Sequence, residues 1–294
     1  MESFSRGWGF LKQSWKMVSA DRDLIKPSIY ALFAGFVISI IFIIPMAITG
    51  FLFGGDNNAI GTYVMIFMGA ILVFVQSSVS YTFSAMTIYL IYGYLSEGDG
   101  KMEKAWAIIR RDWLDILSLA AATTFINILK GFVKGKGKSR GRNFLSNLID
   151  TVWMEAAFLI LPAMVIEDKN LKDGLARAGE IIKNNLLLVG ISTVGIKAVN
   201  AIINIILGLF GLSIGFGFGY GIISLSGQST FGWISGISIG VLFAAIFFMI
   251  AAVISTYSST AYHTCLYLWA CDIEKAGDAT QVAAPTPLAA VLNN

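Results

Sequence analysis

The fold is decided by one stretch: FLSNLIDTVWMEAAFLILPAMVI (residues 144–166), EDKNLKDGLARAGEIIKNN (167–185) and LLLVGISTVGIKAVNAIINIILGLF (186–210). Two long apolar runs flank a short charged segment, which reads as one hairpin with a polar elbow. Each run reaches the roughly 20 residues that a helix needs to cross a bilayer. Each also carries a residue that hydrocarbon rejects. Glu155 lies twelve residues before Glu167, and Lys197 lies twelve residues after Asn185. With a rise of about 1.5 Å per residue, both are expected about 18 Å from the same membrane face. An ionisable group at that depth costs roughly 3 kcal/mol on insertion scales, so it should face the protein interior and find a partner. The sequence offers each as the partner of the other, a buried charged pair of Glu155 and Lys197. Such a pair reads as a gate, a proton relay or an ion site, or as an interhelical latch with no transport role.

Working outward, 56% of the residues are hydrophobic and 13% charged, a balance expected when lipid is the solvent. Six apolar runs, 27–54, 60–95, 113–131, 144–166, 186–210 and 236–271, predict an all-α, polytopic integral membrane protein with six transmembrane helices. An open sheet would leave backbone groups unsatisfied in lipid, and the runs lack the alternation of a membrane barrel. The first 26 residues hold too many charges for a cleavable signal peptide. They place Phe4, Trp8, Leu11, Trp15 and Val18 at helical spacing, with Arg6, Lys12 and Lys16 elsewhere around the axis. That pattern predicts an interfacial amphipathic helix over 1–26, with Trp at the headgroup boundary and basic residues toward anionic lipid. Pro27 opens the first span and Pro45 should kink it.

The spacing recurs at Met102, Trp106, Ile109 and Trp113, and at Leu171, Leu175, Ala178 and Ile182. It predicts in-plane elbow helices at about 99–112 and 168–184. Either the chain is three copies of one elbow-plus-hairpin unit, or any interfacial helix shows this spacing. The order Trp153, FLILPAMVIED with Pro162 and Glu167, then LKDGLARAGEIIKNN resembles a family of prokaryotic membrane proteins of unknown function. That family has about six spans and an Ala-Leu-Lys-Arg-Ser-like elbow. The resemblance runs over roughly residues 8–200, with Ala178 standing where the family has Ser. It implies a fold and no activity.

Fourteen Lys and Arg fall on the side shared by the amino terminus, both elbows and the 273–294 tail, against six in the basic loop 130–142. The positive-inside rule makes the first side cytoplasmic. The sequence thus predicts a multi-pass plasma-membrane protein with both termini cytoplasmic and anionic membrane lipid as a partner. The basic loop binds an anionic partner outside or is a solvated Gly-rich loop. No nucleic-acid signal is carried by the net charge of +3.

Gln76, Ser80, Ser84 and Thr87 align on one face of the second run, as in a pore lining or in close helix packing through hydroxyls. With Asn200 and the only histidine, His263, they make a possible polar path. His263 joins a proton-linked cluster with Glu155 and Lys197 or is a hydrogen-bonded interfacial residue. Over 208–240 two glycine ladders, Gly211/Gly215/Gly219 and Gly232/Gly236/Gly240, flank the polar break SLSGQST. They predict a closely packed or re-entrant helical hairpin. SIGFGFGYG is too short an alternation, without a pore-helix context, to be a potassium filter.

Cys265 and Cys271 lie six apart on different faces of the last helix, which argues against a disulfide. One His and two Cys make no structural zinc set, and no cofactor motif is present. Composition predicts a disordered tail. Without a nucleophile–base pair or a phosphate-cradling loop the chain reads as a non-enzyme. Two functions follow: a homo-oligomeric channel or transporter-like protein, or a non-transporting membrane scaffold that organises lipid or partner proteins.

Overall fold

The computed structural model describes residues 2–53, 59–134, 140–184, 186–227, 229–277 and 282–292. Among these residues there is no strand, and the helices are α1 (Glu2–Ala20), α2 (Lys26–Phe53), α3 (Ala59–Glu97), α4 (Met102–Lys134), α5 (Arg140–Glu167), α6 (Leu171–Asn184), α7 (Leu186–Leu225), α8 (Thr230–Ala276) and α9 (Thr286–Leu292). A 3-10 turn, Arg22–Ile25, joins α1 to α2. Among the described residues, five stretches are long and apolar enough to cross a membrane: Arg22–Leu52, Gly61–Glu97, Met102–Gly131, Ile196–Leu225 and Thr230–Ala276. The 28 residues of α5 are long enough too, and carry Asp150 and Glu155. Residues 135–139 of the basic loop, and Gln228 in the polar break, lie outside the described residues.

The chain divides into two compact units, one formed by residues 18–186 and 263–283, the other by 1–17, 187–262 and 284–294. In the first of these, α2–α3 and α3–α4 are the most extensive helix pairs. The mouth of the α2–α3 hairpin is closed by Asp21. Its Oδ1 accepts from the Asp23 amide at 2.9 Å and caps the 3-10 turn, while Oδ2 accepts from the Gly100 amide at 2.8 Å. A Cβ at Gly100 would sit 2.9 Å from that carboxylate and 3.0 Å from the Leu90 carbonyl oxygen, so a larger residue would push the carboxylate off its amide.

The hinge between α5 and α6 is built locally. Asp168 takes a positive φ of 55° and the Lys169 amide reaches back to the Ala163 carbonyl, a helix stop in which Asp stands where Gly is commoner. Asn170 then caps α6, accepting from the Asp173 amide at 3.0 Å. Gly174 lets α6 lie against α5, since a Cβ there would touch Ile160 Cγ2 at 3.3 Å.

Two expectations need correction. The 99–112 elbow is not a separate helix, because α4 runs unbroken from Met102 to Lys134. No Gly or Pro interrupts residues 102–130, and propensity carries the helix through. The tail is not wholly irregular. Pro285 and Pro287 start α9, the Leu288 and Ala289 amides bond the Pro285 carbonyl at 2.8 and 2.9 Å, and Leu288 is fully buried. Helix α1 also has a packed face that the sequence reading did not mark. It buries Phe10, Ser14 and Met17 along with Leu11 and Val18, leaving Trp8 53% exposed. The cause is α8: Phe10 meets Tyr262 edge-on at 5.4 Å, and the Tyr257 hydroxyl donates to the Ser14 carbonyl at 3.3 Å.

The Gly-rich segment is the paired end of α7 and the start of α8, turning at residues 226–229. Gly219 faces the Gly236 carbonyl oxygen, 2.8 Å from where a Cβ would stand, and Gly240 faces that of Gly215 at 2.7 Å. Gly211 abuts Phe247, and Gly232 abuts Ser226. At Gly215, Gly219, Gly236 and Gly240 the two backbones touch, which a larger residue would prevent.

Candidate functional site

The last turns of α8 carry His263, Tyr267, Cys271 and Glu274, spaced by four, four and three residues, so they form one stripe on the helix. This stripe reads along α5 and α6. His263 Nε2 lies 3.2 Å from Glu155 Oε2, with the two side chains 3% and 16% exposed. The imidazole stacks on Phe158 at 4.3 Å with the planes 8° apart. One turn on, Tyr267 donates to Glu167 Oε1, and the Cys271 thiol donates to the same oxygen at 3.3 Å. Arg177 of α6 completes the node. It pairs with Glu167 at 3.2 Å, Glu180 at 3.5 Å and Glu274.

Burial of the Glu167 carboxyl favours its neutral form. The hydrogen bonds from Tyr267 and Cys271 and the Arg177 charge outweigh that effect and hold it below the usual carboxylate range. Arg177 is held still more firmly charged, chiefly by its hydrogen bond to Glu274; burial opposes this, and the charge of Glu167 adds to it. The node thus anchors the elbow helix to the ends of two long helices by charge, whereas the Glu155–His263 pair can share or pass a proton.

The other sequence-selected residues are distributed as follows. Gln76 donates from Nε2 to the Gly35 carbonyl and to Ser39, each at 2.9 Å. Thr87 is buried and bonds its own helix at Phe83. Ser80 is exposed and Ser84 half-buried. Beside them, Tyr81 and the Trp153 indole meet at Thr123, at 2.8 and 3.0 Å, joining α3, α4 and α5. Asn200, in the other unit, donates to Ser259 at 3.0 Å and ties α7 to α8. Lys197 is exposed on α7 in that unit and Glu155 belongs to its counterpart. Both cysteines are free and buried. Among the described residues no group of three His, Cys, Asp or Glu side chains could hold a metal ion.

The sequence reading passed over Tyr267 and Glu274, and weighed Cys271 only for a disulfide or a zinc site. Their signal was the four-residue recurrence of hydrogen-bonding groups after His263, on a helix with no charge between Thr230 and Cys271.

Comparison with known proteins finds no family model, no curated protein and no solved structure that matches the chain.

Proposed function

We propose that the chain is a multi-pass membrane protein with six spans, the helices α2, α3, α4, α5, α7 and α8, and that it works as a non-transporting scaffold that organises lipid and copies of itself. What carries this reading is the fate of the polar face of α3. The amide of Gln76 is spent on the α2 backbone, and Thr87, Ser78 and Thr82 bond their own helix. Tyr81 is spent on α4. Gln76 and Tyr81 thus hold helices together, and the three hydroxyls have donated to backbone carbonyls of their own helix, which leaves fewer free donors to line a water path. The fourteen-to-six division of basic residues supports a cytoplasmic side for the termini and both elbow segments.

A second reading, proton-linked transport, is favoured by one observation: Glu155 and His263 pair within 3.2 Å in the interior, on a helix with no Asp, Glu, Lys or Arg between Thr230 and Cys271. Reconstitution separates the two. A scaffold leaves proton and ion flux into liposomes at the protein-free level, and flux that disappears in Glu155→Gln would overturn it.

A further inference from the structure

In the unit that contains the amino terminus, α1 is docked on α8 through Phe10 and Ser14, so the surface between α1 and α7 is preformed. It is a groove of about 550 Å³, lined by Trp8, Leu11 and Trp15 of α1, Val199 and Ile203 of α7, and Ile254 of α8. Apart from the two indole N–H groups these side chains carry nothing polar. The volume is that of a small-molecule site, roughly 300–1,000 Å³.

Charge lies along one edge of this groove. Lys12 follows Trp8 by four residues, about 40° further round the helix, and Lys16 follows Trp15 directly; both are exposed. An apolar trough with indoles at its rim and two ammonium groups beside it matches one kind of molecule. The geometry points to a seat for a single anionic glycerophospholipid, with an acyl chain in the groove and its phosphate against Lys12 and Lys16. The inference rests on the membrane location proposed above. Bulk lipid solvates an acyl chain as well as the groove does, so selectivity comes from the headgroup, through attraction to Lys and the preference of indoles for the headgroup level.

The test uses the full chain in detergent, titrated with phosphatidylglycerol or phosphatidylcholine and followed by native mass spectrometry. One phosphatidylglycerol should be retained, roughly tenfold or more tightly than phosphatidylcholine. Lys12→Ala with Lys16→Ala should abolish the difference, and Lys101→Ala with Lys104→Ala should leave it. Ile203→Trp, which fills the groove, and Trp8→Ala, which opens its exposed rim, should each reduce retention of the lipid. Equal retention of the two lipids by the unaltered chain, or retention indifferent to the groove and Lys12/Lys16 variants, overturns the seat. Alkaline carbonate extraction keeps the two ideas apart. A chain that stays in the membrane yet shows no lipid preference defeats the seat alone, and one released by carbonate defeats the membrane reading with it.

Discussion

His263 of α8 and Glu155 of α5 sit with Nε2 and Oε2 3.2 Å apart, 108 residues apart in sequence, under a Phe158 ring stacked on the imidazole. Removing the carboxylate leaves a buried imidazole short of a partner, a loss of about 1–3 kcal/mol. Glu155→Met should therefore lower the melting temperature more than Glu155→Met combined with His263→Phe, and a double-mutant cycle reads the coupling directly. Additive losses would mean that the two side chains do not act together. The same cycle with Lys197→Met tests the pairing that the sequence suggested for Glu155.

Glu167 gives a pH dependence with a definite sign. Its carboxyl is held below its ordinary value of 4.5 in the folded chain, so the unfolded chain takes up the proton first. The stabilisation is complete above about pH 4.5 and is lost as pH falls through the lowered folded value. Melting followed from about pH 7 down to pH 3 should show this acid limb, and Glu167→Gln should start lower at neutral pH and lose part of the limb. Identical acid limbs in the two proteins would remove Glu167 from the account.

The glycine faces differ sharply around one helix. A Cβ at Gly215 would fall inside contact distance of the Gly240 carbonyl oxygen, while one at Gly217 meets nothing within 4 Å. Gly215→Leu or Gly236→Leu should cost about 1–3 kcal/mol or prevent folding, whereas Gly217→Ala should be neutral or stabilise by up to about 1 kcal/mol. Melting and size-exclusion profiles of the three variants check this. Equal behaviour would argue that the ladders are not in contact.

Topology is checked with an impermeant thiol reagent. Lys101→Cys should be labelled only from the cytoplasmic side and Gly137→Cys only from the opposite side. Labelling of both from one side overturns the orientation.

Much of the helix layout was legible because apolar runs and breakers are local signals. The 144–166 and 27–54 runs are close to α5 and α2, and the 168–184 pattern is close to α6. Residues 99–112 failed because an elbow and the first turns of a continuous helix share one periodicity, and only a breaker tells them apart. Glu155 was matched with Lys197 by depth and sign of charge. Depth and charge gave no reason to bring His263, expected about 13 Å from the membrane edge, to the same carboxylate, because that contact depends on which faces α5 and α8 present to each other. The Phe10–Ser14–Met17 face of α1 was hidden for a related reason. Trp8 and Trp15 dominate any hydrophobicity reading, yet aromatic residues serve a groove rim as well as a core.

The Asp21 carboxylate bonds an amide 79 residues further along the chain. A ribosome makes residue 21 long before residue 100, so the first hairpin emerges with its entrance open and Asp21 able to cap only its own turn. When the Asp99–Gly100 bend appears, the second carboxylate oxygen finds its donor and the entrance shuts. Closure is thus timed by elongation, and a pause in synthesis before Gly100 would hold the nascent chain in a half-latched state that the finished protein does not visit.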